Sequence, residues 1–140
     1  MNDKYNLKRF LAAQTGSYAT ALAEIKCGGK RSHWMWYVFP QIAGLGSNPT
    51  ARFYAISSID EAKAYLAHPL LGERLRTCAE ALQELTETTA GVVFGRVDAL
   101  KLQSSLTLFI AAGGDSVFRT MLQPWFDNEA DEATLRLLSV

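Results

Sequence analysis

Lys30, Arg31, Ser32 and His33 stand side by side, directly before a wall of six large apolar side chains, Trp34-Met35-Trp36-Tyr37-Val38-Phe39, that ends at Pro40-Gln41. A few polar groups against an apolar floor are the make-up of a ligand pocket. They are equally the make-up of a core segment with a basic entrance. Two adjacent cations after Gly28-Gly29 and before an expected helix start suit a phosphate or a carboxylate, because amides at a helix N-terminus favour anions. A solvated basic turn fits the same residues, since the glycines follow neither the phosphate-loop nor the dinucleotide-fold spacing. His33 beside apolar side chains is a candidate general acid or base. Trp34 and Trp36 are candidates to stack on a base or sugar, although core packing is the commoner use of tryptophan.

A second group lies seventy residues on. Lys101, Ser104 and Ser105 stand three and four residues apart and share one side of an expected helix. Between Lys101 and Asp115 there is no charged residue, so this helix reads as a central one. An ammonium group on such a helix needs an opening to water, a carboxylate such as Asp98, or room to snorkel. The expected site therefore takes His33 and Lys101 as catalytic groups. Lys30, Arg31, Ser32, Trp34, Trp36, Gln41, Tyr54, His68, Ser104 and Ser105 are its expected ligand-binding groups. His68 precedes Pro69, where helix capping is a sufficient explanation. Serines without nucleophile-elbow glycines indicate no hydrolase triad. Two histidines and two cysteines without ligand spacing indicate no metal, and no motif calls for a cofactor.

The elements that must position these groups are helical almost throughout. A first helix is expected from about Leu7 to Gln14, capped by Asn6, and a second from Ser17 to the glycine pair at 28–29. Residues 33–39 fit a buried helix turn or a buried strand; the helical surroundings favour a short helix, capped by Ser32 and stopped before Pro40. Residues 41–50 read as a loop, either a lid or a plain connection. A short helix around residues 50–56 carries Tyr54. Ser58 and Glu61 form a capping box. Leu71, Leu75, Cys78, Leu82 and Leu85 make the buried seam of an amphipathic helix. Asp98 is expected to cap the central helix, which ends at Gly113-Gly114. Phe118, Met121, Leu122 and Trp125 share a face, and Asp131 caps a last short helix. The expected architecture is all-α: one domain over residues 1–140, a compact multi-helix array around a central apolar helix.

Composition narrows the partners. The 140 residues are 49% apolar and 20% charged with zero net charge, ordinary for a soluble globular protein. Residues 1–52 carry seven cations against two acids, +5, and residues 53–140 carry seven cations against twelve acids, −5. That asymmetry marks an anion-binding face or two mutually attracting halves, and it is too small for a dedicated nucleic-acid binder. No apolar run approaches the roughly 18 residues of a membrane span. Residues 1–18 lack the apolar stretch of a secretory leader, and Cys27 and Cys78 read as reduced, so the expected setting is cytoplasmic. A monomer is the expected state.

Several blocks together resemble a known family. They are Lys30-Arg31-Ser32-His33-Trp34-Met35-Trp36-Tyr37-Val38-Phe39-Pro40-Gln41, Gly44-Leu45-Gly46, Tyr54-Ala55-Ile56, Tyr65-Leu66-Ala67-His68-Pro69-Leu70-Leu71-Gly72 and Asp98-Ala99-Leu100-Lys101-Leu102-Gln103-Ser104-Ser105-Leu106-Thr107-Leu108-Phe109. The chain is similar in these to a bacterial family of unknown function, whose members are sometimes labelled calpastatin. The resemblance implies a single all-helical domain and no established activity. Inhibitors called calpastatin are long and disordered, whereas this chain reads as compact. Lys30, Arg31, Ser32, His33, Gln41, His68, Lys101, Ser104 and Ser105 all belong to the family pattern. The expected function is a pocket for an anionic, phosphorylated or nucleotide-like ligand. Hydrolysis enters only by analogy with compact helical proteins that process ADP-ribose derivatives. The alternative is a helical protein-interaction module without catalysis, with Trp34 or Trp36 as its exposed anchor.

Overall fold

The computed structural model describes residues 3–139, and its elements follow the helical periodicity of the chain. Nine helices are found among these residues: α1 (Lys8–Thr15), α2 (Tyr18–Lys26), α3 (Met35–Val38), α4 (Pro49–Phe53), α5 (Ile59–Ala67), α6 (Pro69–Gln83), α7 (Ala90–Ala111), α8 (Ser116–Phe126) and α9 (Glu132–Leu138). The described residues form no strand, only one parallel bridge between Ile42 and Ile56. Helix α7 packs against α5, α8 and α9, and α6 against α2, α5 and α8.

The run without charge on α7 is buried on all sides from Leu102 to Phe109 except at Gln103, as a central helix requires. An aromatic series fastens the helices around it. The rings of Phe10 on α1 and Tyr65 on α5 meet edge-on at 5.1 Å, Tyr65 lies 5.4 Å from Phe109 on α7, and Phe109 lies 6.1 Å from Phe118 on α8. Such pairs add to area burial because ring edges are electropositive and faces electronegative. The seam on α6 is buried from Leu71 to Leu82, and Leu85 packs against its edge.

Gly72 belongs to the α5–α6 corner. A Cβ there would run into the Leu66 carbonyl, which is backbone and cannot give way. Gly72→Ala is therefore expected to lose about 1–3 kcal/mol in a urea titration. An unchanged midpoint would show that the corner opens freely.

Several caps differ from expectation, because another group takes the free amides, the capping side chain bonds elsewhere, or the helix starts earlier. Asn6 has a positive φ of 53° and does not cap α1; the Asp3 carboxylate takes the amides of Leu7 and Lys8 at 2.7 and 3.1 Å. Ser17 makes no cap either, because its hydroxyl donates back to the Ala13 carbonyl. Ser58 does accept from the Glu61 amide, but the Glu61 carboxylate turns to the amide and hydroxyl of Ser57. Ser32 leaves α3 uncapped and donates to Glu24. Helix α7 starts eight residues before Asp98, capped by Thr89, and kinks at Gly95, whose φ of 81° suits glycine. The Asp131 cap on α9 holds as expected.

Candidate functional site

The two remote polar groups meet. The Lys30 amide donates to the Val93 carbonyl at 2.7 Å, which ties the basic turn to the first segment of α7. One turn further, Asp98 receives two cations. Its carboxylate oxygens lie 2.8 Å from the Lys30 ammonium and 3.1 Å from that of Lys101. Burial opposes ionisation of Asp98, but the two ammonium groups outweigh it and keep the carboxyl below its usual range. The Lys30 side chain is only 8% exposed; it also donates to the Ser32 carbonyl and lies 5.2 Å from the Trp34 ring. The Lys101 ammonium sits 4.2 Å from the Trp36 ring centre. Both lysines are thus paired with a carboxylate and with an indole face.

The amides of the basic turn do hold an anion, but it is the protein's own. Glu24, in the last part of α2, accepts from the Arg31 amide, the Ser32 amide and hydroxyl and the Trp34 indole N–H at 2.6 to 3.0 Å. Burial alone would raise the Glu24 pKa, yet these four donors lower it to about 2. Trp34 is 1% exposed and belongs to the core. Arg31 and His33 are exposed, and among the described residues the imidazole makes no hydrogen bond. The His33 carbonyl accepts from the Tyr37 hydroxyl at 3.0 Å, so the residue's recorded contact is through its backbone.

Beside this cluster is a hollow of about 110 Å³ between Trp36, Gln41, Leu45, Ala51, Arg52 and Tyr54. Its walls follow from local structure. Asn48 caps α4 by accepting from the Ala51 amide, and the Ile56 amide donates to the Gln41 carbonyl at 2.8 Å, so the chain on both sides of residues 43–55 is pinned. The loop at residues 41–50, read as a lid or a plain connection, is tied at its start by that bridge. Gly46 lies against Ala51 and the Trp36 ring, where a Cβ would not fit. Gln41 is 6% exposed, and its amide nitrogen is a buried donor with no partner. Tyr54 packs 5.2 Å from Tyr37, and burial, with a further contribution from Tyr37, raises its hydroxyl pKa.

The other expected residues lie in structural roles. His68 caps α6, its Nδ1 accepting from the amides of Leu70 and Leu71. Ser104 is within hydrogen-bond reach of the Leu100 carbonyl and of the Asp131 carboxylate, which joins α7 to α9. Ser105 is 1% exposed, its hydroxyl has no partner, and it is not a wall residue of the hollow. Sequence reasoning left out Glu24 and Arg52; it offered Asp98 both as a cap and as a partner for Lys101, and the second is what the structure contains. An acid late in α2, one turn before a Gly-Gly basic turn, was a readable signal for Glu24. Arg52 had none, because its position depends on how α4 folds back. Among the described residues no three metal-ligating side chains cluster, and no helix is long and apolar enough to cross a membrane.

Fold and site together define a small all-helical protein with an indole-floored hollow beside a two-lysine, one-carboxylate cluster. The chain belongs to the family described as "Protein of unknown function (DUF1810)", which matches residues 4–138. It is similar to a solved structure, that of the conserved hypothetical protein Rv1873 from Mycobacterium tuberculosis, at 44% identity, with 99% of each chain covered and a TM-score of 0.97. No curated protein matches. Neither description carries the calpastatin label.

Proposed function

We propose that this protein binds a small ligand by seating a ring-sized group in the hollow at Trp36, Gln41 and Tyr54. The observation that carries the reading is the hollow itself, in which the Trp36 and Tyr54 rings and the side chain of Gln41, without a hydrogen bond among the described residues, line one space. The Trp36 indole supplies the apolar face. A cavity of roughly 150 Å³ holds one benzene ring in another protein, so a hollow of about 110 Å³ suits a single ring with the remainder of the ligand outside.

The reading is one of binding. No hydrogen bond or ion pair joins His33 to Lys101 among the described residues, and the Lys101 ammonium is held by Asp98 and Trp36. A hydrolase reading gains no such support. The interaction-module reading named Trp34 or Trp36 as its anchor: Trp34 is buried, and Trp36, half-buried, lies against Lys101 and lines the hollow.

Thermal-shift screening against nucleosides, nucleotides and sugar phosphates tests the proposal, because ligands that bind the folded state raise its melting temperature. Gln41→Leu is expected to lose the ligand response. A response kept in full by Gln41→Leu, or no shift in the wild type with any probe, would overturn the reading.

A further inference from the structure

We infer that the ligand is a single-ring nucleotide or a similar ring-bearing phosphate ester, whose anionic group lies over Arg52. This rests on the hollow being the ring site. Arg52 and Ala55 line the hollow and also line a second, wider concavity of about 450 Å³, so the two share a border. That second groove is lined by three cations, Lys4, Arg9 and Arg52, and by the Glu61 carboxylate.

The cations of the groove are not equivalent. Arg9 has given up every donor: its Nε and four terminal N–H groups go to the carbonyls of Phe53, Tyr5, Asn6 and Ala55 and to the Glu61 carboxylate. It is neutralised by Glu61 and has nothing left for a ligand. Arg52 is exposed, and among the described residues its guanidinium has neither a carboxylate nor a carbonyl partner. Among the described residues Lys4 has no carboxylate partner either; its ammonium lies 5.4 Å from the Tyr5 ring. One cation without a carboxylate partner, Arg52, therefore stands at the border of the apolar hollow, and a second, Lys4, lines the wider groove beyond it.

Ring and anion are consequently expected in one molecule. The hollow takes a single ring against Trp36, with a polar edge toward Gln41. A chain leaving over the border at Arg52 enters the cationic groove, where a planar guanidinium can grip two phosphate oxygens at once. The basic turn at residues 30–33 does not compete for this role, since Glu24 already occupies its amides and Asp98 its lysine.

The test is equilibrium binding of uridine and cytidine 5′-monophosphates, the matching nucleosides and inorganic phosphate, at low salt, where exposed ionic contacts are least screened. The monophosphates are expected to bind about ten-fold more tightly than the nucleosides, with the advantage falling below about two-fold in Arg52→Gln. Arg52 is exposed and unbonded, so this variant keeps the fold. Equal affinity for nucleoside and monophosphate, or an advantage untouched by Arg52→Gln, would overturn the inference and leave the ring site standing. Phosphate binding as tight as the monophosphates would also overturn it, because the ring would then contribute nothing. If neither nucleosides nor monophosphates bind, the inference falls, and the other screened ligands decide the ring site.

Discussion

Arg9→Met is expected to lose about 3–5 kcal/mol of stability, the range seen when one partner of a buried ion pair is removed. For a domain of this size that is roughly 10 °C in melting temperature. The side chains of Arg9 and Glu61 are 8% and 3% exposed, and their contact is 2.8 Å. Without the guanidinium, the Glu61 carboxylate keeps only Ser57, and four backbone carbonyls lose a donor. Removing both charges is less costly than removing one, since no buried charge is then left alone. Arg9→Met/Glu61→Leu should therefore be more stable than the sum of the single losses predicts. Urea unfolding of the four proteins measures this. A single loss under about 1 kcal/mol, or strict additivity, would show that the pair is solvated and of little consequence. Two of the carbonyls that Arg9 holds, at Phe53 and Ala55, flank Tyr54. The same variant should therefore loosen the wall of the hollow and weaken ligand binding.

The second large effect is a pH dependence centred on Glu24. Its folded pKa of about 2 lies below the ordinary value of 4.5. A carboxyl depressed by folding binds fewer protons in the native state, so it stabilises the fold above the unfolded pKa. That contribution is fully present above about pH 5 and is lost as the pH falls toward about 2. A shift of this size corresponds to about 3 kcal/mol, and the carboxylate's partial exposure reduces the expected contribution to about 1–2 kcal/mol. Glu24→Gln should be less stable than the wild type at pH 7 by that amount, with the gap closing progressively below pH 5. Unfolding titrations of both proteins between pH 7 and pH 3 follow it. A gap that stays constant with pH would mean that Glu24 acts by packing alone. Because the carboxylate holds the amides at 31 and 32 and the Trp34 indole, its loss should also free the basic turn, visible as faster hydrogen exchange there.

Much of the fold is legible residue by residue. The seam from Leu71 to Leu85 and the uncharged run after Lys101 predict a surface helix and a central one, and both occupy those places. His33 to Phe39 shows where periodicity stops helping. Six bulky residues in a row are compatible with either secondary structure, and the chain settles on the single turn Met35–Val38. Gln14 then fixes that turn from a distance, its amide donating to the Tyr37 carbonyl and to the Tyr65 hydroxyl while its carbonyl accepts from Arg74. No local pattern announces such a buried amide bridging four segments.

The candidate site divides in the same way. Residue types alone select Lys30, Trp36, Gln41 and Lys101, and the structure places Lys30 and Lys101 on one carboxylate and Trp36 and Gln41 around one hollow. Types alone also propose that the basic turn waits for an outside anion, and Glu24 fills that position instead. Helical rise and apolar spacing act over three or four residues, and for that reason the amino-acid order determines the helices, the buried faces and the central position of α7. The partner of a charge is chosen across tens of residues by how helices pack. Only the tertiary structure therefore decided that Asp98 would be shared between Lys101 and the remote Lys30, that Arg9 would exhaust its donors, and that Arg52 would be left uncompensated at the edge of the Trp36 hollow.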